Sequence, residues 1–126
     1  MNLFKKIFFF IPTMVSFLKG HQMFNERNYS GAILKFEKCL KHPKFNNDLL
    51  FSLYGQALCA SGKLSEAHKY LKKACDSYES GGWLFESEFS YNLASNSIDA
   101  LKHSCEQLGI DEGKEYFSKR LEIKEK

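Results

Sequence analysis

Two stretches of this chain are copies of one another, 35 residues apart. YSGAILKFEKCL at 29–40 aligns with LSEAHKYLKKAC at 64–75, and the shared alanines are Ala32 and Ala67. The preceding segments align too: Gly20 stands 12 residues before Ala32, and Gly55 stands 12 before Ala67. A fainter copy, SIDALKHSCEQL at 97–108, places Ala100 a further 33 residues on. Self-similarity at such a period means supersecondary units too small to bury their apolar faces alone, so neighbours must stack.

The middle unit, 48–78, shows what is repeated. Asn47 or Asp48 caps a helix to about Ala60, Ser61-Gly62-Lys63 turns the chain, and Ser65 to Tyr78 returns as a second helix. Gly55, Ala57, Ala67 and Ala74 let the helices approach, and we expect Gly55 and Ala67 to face each other. Leu53, Tyr54, Leu58, Tyr70 and Leu71 fill the space between them. The first unit, 13–44, starts a helix at Pro12, where a missing N–H costs nothing. That helix carries Met14, Val15, Phe17, Leu18 and Met23. A polar turn at 25–30 leads to Gly31–Leu40, with Ile33, Leu34, Phe36 and Leu40 inward, and Pro43 ends it. The third unit, 83–109, runs from Trp83 to Gly109. Ser95-Asn96-Ser97 marks either a turn within a hairpin or a polar patch on one long helix. Asp111 caps a final helix through 111–123. No alternating strand pattern of useful length and no β-hairpin turn occurs. The expected fold is therefore one all-α domain of stacked antiparallel helical hairpins, with capping helices at both ends.

The repeat resembles the tetratricopeptide repeat, whose period is about 34 residues. Residues 48–78 supply Phe51, Tyr54, Gly55, Leu58, Gly62, Ala67, Leu71 and Ala74 at matching positions, with Tyr54 and Leu58 exchanging the expected types. Residues 13–44 supply Gly20, Met23, Tyr29, Ala32, Phe36, Cys39 and Pro43, and Lys19 departs from the expected leucine. The third unit keeps Leu84, Tyr91 and Ala100. The resemblance implies a short α-solenoid whose first helices line a concave groove. Matched residue by residue, that groove takes Met14, Phe17, His21, Phe24 and Asn25 from the first unit. It takes Leu49, Ser52, Gln56, Cys59 and Ala60 from the second, and Phe85, Glu88, Asn92 and Ser95 from the third. The family's lysine and arginine clamp for a C-terminal carboxylate is not among them. A mixed apolar and amide groove suits a partner helix or a flat protein surface.

Before Pro12, residues 1–11 place Leu3, Phe4, Ile7, Phe8 and Ile11 on one helical face. Lys5 and Lys6 ahead of an uncharged run to Leu18 resemble a signal sequence, but no small-x-small cleavage site follows and Pro12 interrupts the run. The run is short for a membrane span, which takes about 20 apolar residues. We expect this segment to cap the first unit; anchoring to a membrane through residues 1–18 is the competing reading. Cys39, Cys59, Cys75 and Cys105 form no C-x-x-C pair and sit beside apolar residues, as free thiols in a reducing compartment do. A cytoplasmic location is expected, with membrane association as the alternative.

No phosphate-binding loop, nucleophile elbow or H-E-x-x-H motif is present. Cys39 and His42 lack two further ligands at metal spacing. Asp99 and His103 suit a surface ion pair, and His68 beside Lys69 reads as solvated. Lys35, Lys38, Lys41, Lys69, Lys72 and Lys73 read as a solvated outer face. Nucleic acid is not expected, because the net charge is only +3 and no aromatic interleaves with these lysines. The sequence thus leads us to expect no catalysis, cofactor, metal or small-molecule substrate. The expected function is protein binding, with inhibition of a toxin domain, as immunity proteins or antitoxins do, as a narrower form. A membrane-tethered assembly factor is the alternative.

Overall fold

The computed structural model describes residues 3–42, 48–79 and 88–125, and the side chains of 11–42, 48–77 and 92–120. Six helices follow in order: α1 (Leu3–Asn25), α2 (Tyr29–Leu40), α3 (Asp48–Ala60), α4 (Leu64–Glu79), α5 (Glu88–Leu108) and α6 (Lys114–Glu125). The fold is all-α. Helices α1 and α2 pair as one hairpin and α3 and α4 as the next; α3 then packs on α2, α5 on α3 and α4, and α6 on α4 and α5.

The 35-residue period is reproduced bond by bond. At the α1–α2 turn the amides of Glu26, Arg27 and Asn28 donate to the carbonyls of Gln22, Phe24 and Met23. At the α3–α4 turn Ser61, Gly62 and Lys63 donate to Ala57, Cys59 and Leu58. Both turns are Schellman closures, which need a left-handed residue just past the helix end. Gly62 adopts it with φ of 80°, and Arg27 adopts it with φ of 63° despite its side chain. Asn28 then caps α2, its Oδ1 accepting from the Gly31 amide at 3.1 Å.

The close approaches repeat as well. A Cβ on Gly20 would lie 2.8 Å from the Phe36 ring, and one on Gly55 would lie 2.6 Å from Leu71 Cγ. Phe36 and Leu71 are themselves 35 apart. Ala32 and Ala67, Phe36 and Leu71, and Cys39 and Ala74 are equivalent pairs, and all six residues are fully buried. One expectation is corrected: Gly55 is pressed against Leu71, one turn beyond Ala67. The larger leucine fills the gap, and Ala67 packs one turn earlier on the same face.

Two helix starts also differ from expectation, and one open question is resolved. Residues 3–11 are not a separate capping helix; α1 runs unbroken through Pro12. A proline inside a helix costs about 3 kcal/mol. Here its ring is on the exposed side, and the packing of Phe17, Gly20 and Phe24 on the α2 side holds the helix together. Of the two readings left open for Ser95-Asn96-Ser97, the single long helix holds: α5 passes through these residues without a turn. Ser97 is fully buried and its Oγ accepts from Gln56 Nε2 at 2.9 Å, so a poor helix former is kept in line by a bond to α3. The α5 helix ends instead at Gly109, where the Ile110 amide closes on Cys105 O. Asp111 does not cap α6; its Oδ1 accepts from the Gly113 amide in the connecting loop, and the helix starts at Lys114. Residues 80–87, with Trp83, Leu84 and Phe85, lie outside the described residues.

Candidate functional site

Helix α1 has two faces of different character. Toward α2, Phe17 packs at 6.2 Å from Phe36, Gly20 meets the Phe36 ring, and Phe24 stacks edge-on with Tyr29 at 5.7 Å. On the far side Ile11, Met14, Val15 and Leu18 are 50%, 37%, 40% and 57% exposed. Their spacing of i, i+3, i+4 and i+7 makes one continuous apolar stripe. Val15 and Leu18, which the sequence placed on this helix without a direction, lie in the stripe. Leu34 was expected inward on α2 and is 63% exposed.

The expected groove residues separate accordingly. Met14 belongs to the stripe. Phe17, His21 and Phe24 are half-buried, with His21 stacked on Phe17 at 6.4 Å, and Asn25 is exposed at the end of α1. On α3, Leu49 packs against the core and Ser52 is fully buried, donating to Asp48 O. Gln56 Nε2 donates to Ser97 Oγ and to Leu93 O, and Cys59 Sγ lies 3.8 Å from Ala100 O. Gln56 and Cys59 are thus turned onto α5, which covers this part of the face. Asn92 is exposed on α5, Glu88 opens that helix, and Phe85 lies outside the described residues.

The lysine face is not purely solvated, contrary to expectation. Lys69 sits 5.3 Å from the Tyr70 ring centre and Lys73 5.4 Å from that of Phe51; Tyr54 and Tyr70 lie 4.8 Å apart. Aromatic rings do interleave with the lysines: Tyr70 lies between Lys69 and Lys73 on α4, and Phe51 reaches them from α3.

His68 is likewise corrected. It is 19% exposed, and its Nε2 lies 2.9 Å from Glu112 Oε1, while Lys72 Nζ donates to Glu112 Oε2 at 2.8 Å. Hydrogen bonding from Lys72, and then from His68, holds the Glu112 carboxyl below its ordinary range against the opposing effect of burial. Cys105, 3% exposed, completes a cluster with His68 and Glu112 in which the ligand-type atoms all lie within 4.8 Å of one another. Burial pushes the Cys105 thiol up. No motif signals this cluster, since its members stand at 68, 105 and 112 and only the fold unites them. Cys39 has no part in it; its thiol faces Thr13 O and Lys35 O between α1 and α2.

No helix among the described residues is long and apolar enough to cross a membrane. No family model, no curated protein and no solved structure matches the chain.

Proposed function

We propose that this chain is a non-catalytic, cytoplasmic binding module of the tetratricopeptide-like type, and that it takes an apolar helix of a partner protein along α1. The observation that carries the reading is the stripe of Ile11, Met14, Val15 and Leu18. Four large side chains in two turns on a helix that packs well on its other face are a poor solvent surface and a good seat for one more helix. In a stack of repeats, the end faces are where such apolar surface is left over. The stripe replaces the concave face as the favoured surface, since α5 covers Gln56 and Cys59. The tetratricopeptide-like reading is supported by the 35-residue recurrence of turns, close approaches and buried positions. The narrower form is an inhibitor that occludes a toxin domain.

Affinity capture with the full chain, beside a Val15→Glu/Leu18→Glu variant, tests this. We expect one stoichiometric protein with the native chain and its loss with the variant, both folded by circular dichroism. A partner with nuclease or other toxic activity would support the inhibitor form. Equal capture by both chains would remove the stripe from the reading.

The second reading is a membrane-tethered assembly factor, with residues 1–18 lying on a bilayer. Lys5 and Lys6 on the same helix as the stripe favour it, as basic amphipathic helices bind anionic interfaces. Sedimentation with anionic lipid vesicles distinguishes the two: full-length chain remaining in the supernatant excludes the tether.

A further inference from the structure

We propose that His68, Cys105 and Glu112 bind a divalent metal ion of the zinc class, clasping the α5–α6 connection onto α4. The site is independent of the α1 stripe. Its three ligands come from three places, α4, the end of α5 and the loop before α6. Their ligand-type atoms already lie within 4.8 Å of one another. Bonds of about 2.0–2.3 Å to a shared tetrahedral ion would put such atoms about 3.3–3.8 Å apart. Small side-chain adjustments therefore suffice.

The donor chemistry selects the ion. One imidazole nitrogen, one thiolate and one carboxylate suit zinc or cobalt, whereas calcium and magnesium require oxygen ligands. A thiolate and a carboxylate also balance the charge of a divalent ion. Glu112 is prepared for one-oxygen coordination: Oε1 faces His68, while Oε2 is held by Lys72 at 2.8 Å. That second contact is what supporting residues around metal ligands supply. The ion takes the place of the 2.9 Å contact between His68 Nε2 and Glu112 Oε1. Cys105 and Glu112 are nearly buried, His68 is partly so, and water fills the fourth position. Binding requires the Cys105 thiolate and a bare His68 Nε2, so the displaced protons pass to solvent and affinity rises with pH.

Cobalt titration of the full chain is the direct test, since a cobalt–thiolate bond gives a near-ultraviolet charge-transfer band and four-coordination gives intense visible bands. We expect both at one equivalent, their removal by zinc, and a higher Tm with zinc. His68→Gln, Cys105→Ser and Glu112→Gln should each weaken binding by at least about tenfold. Cys39→Ser and His103→Gln should leave it unchanged. His68 is partly exposed, so its variant should fold even if the Cys105 variant does not. Absence of the charge-transfer band, or a zinc-induced Tm shift that survives both Cys105→Ser and His68→Gln, would overturn the proposal.

Discussion

Gly55 shows how much a single small residue decides. Alanine is the better helix former by about 1 kcal/mol, so Gly55→Ala ought to stabilise an isolated helix. In the fold the new Cβ would meet Leu71 Cγ at 2.6 Å and the Leu71 amide nitrogen at 3.2 Å. Neither can withdraw without moving α4. We expect Gly55→Ala to destabilise by about 1–3 kcal/mol in urea unfolding; a neutral or stabilising result would contradict the packing. The need for a small residue here was legible in the sequence, but its partner was not. Pattern alignment fixes which face a residue occupies without fixing which turn of the other helix lies across from it. The buried thiols give a second residue-level test. Burial pushes Cys39 up to about 11 and Cys75 up to about 12, from an ordinary value of 9.0. The folded chain therefore holds these protons more tightly than the unfolded one. Stability should be at its full level below pH 9 and fall as pH rises through 11 to 12. Tyr54 and Tyr116 are raised in the same direction, mainly by burial, and add to the fall above pH 10. A Cys39→Ala/Cys75→Ala chain should thus have a shallower slope between pH 9 and 10, the remainder coming from Cys105, which burial also raises; an unchanged slope there would refute the assignment.

Among the elements, the two equivalent turns form a natural experiment. Both need a left-handed residue; Gly62 meets that need freely and Arg27 meets it under strain. A left-handed L-residue costs about 1–2 kcal/mol, while glycine costs part of that back through unfolded-state entropy. Arg27→Gly should therefore raise stability by roughly 0.5–1 kcal/mol, and Gly62→Ala should lower it by a similar amount. Thermal unfolding of both variants checks the pair, and the same sign for both would show that the turns are not equivalent. The sequence marked these turns well, because turn chemistry is local. It failed at Pro12, which read as a helix start, and left Ser95-Asn96-Ser97 open between a turn and one long helix. There the local preference of a few residues competes with packing along an entire helix. Exposure of Pro12 and the Gln56–Ser97 bond let packing prevail. The candidate sites divide in the same way. The stripe was visible as apolar residues at helical spacing, though the sequence did not show which of them stay exposed, whereas the His68–Cys105–Glu112 cluster depends on how α4 meets α5 and could not be seen.

On the scale of the molecule, contacts run only between near neighbours in the stack. Among the described residues, α1 and α2 touch neither α5 nor α6. Stability in such an array is close to a sum of unit and interface contributions, so each end can open without the other. At the C-terminal end α6 is held to α4 through Asp76, whose Oδ1 accepts from Tyr116 Oη at 2.8 Å and from Arg120 Nη2 at 3.2 Å. Arg120 is nearly buried and its guanidinium lies 3.4 Å from the Tyr116 ring centre, whereas the Asp76 side chain is 52% exposed. Solvent therefore weakens the ion pair, and what remains is chiefly orientation of the buried arginine and the tyrosine. Removing the carboxylate should loosen α6 on α4 without reaching the first hairpin. In hydrogen exchange, Asp76→Ala should reduce amide protection in 114–120 by roughly three- to tenfold and leave 29–40 unchanged. A uniform loss across both segments would instead mean that the stack opens as one cooperative unit. Local loosening would identify the α6 end as the part of the array whose docking is adjustable. That is also the end where an ion bound to His68, Cys105 and Glu112 would tighten the structure, so zinc should restore protection in the Asp76→Ala chain.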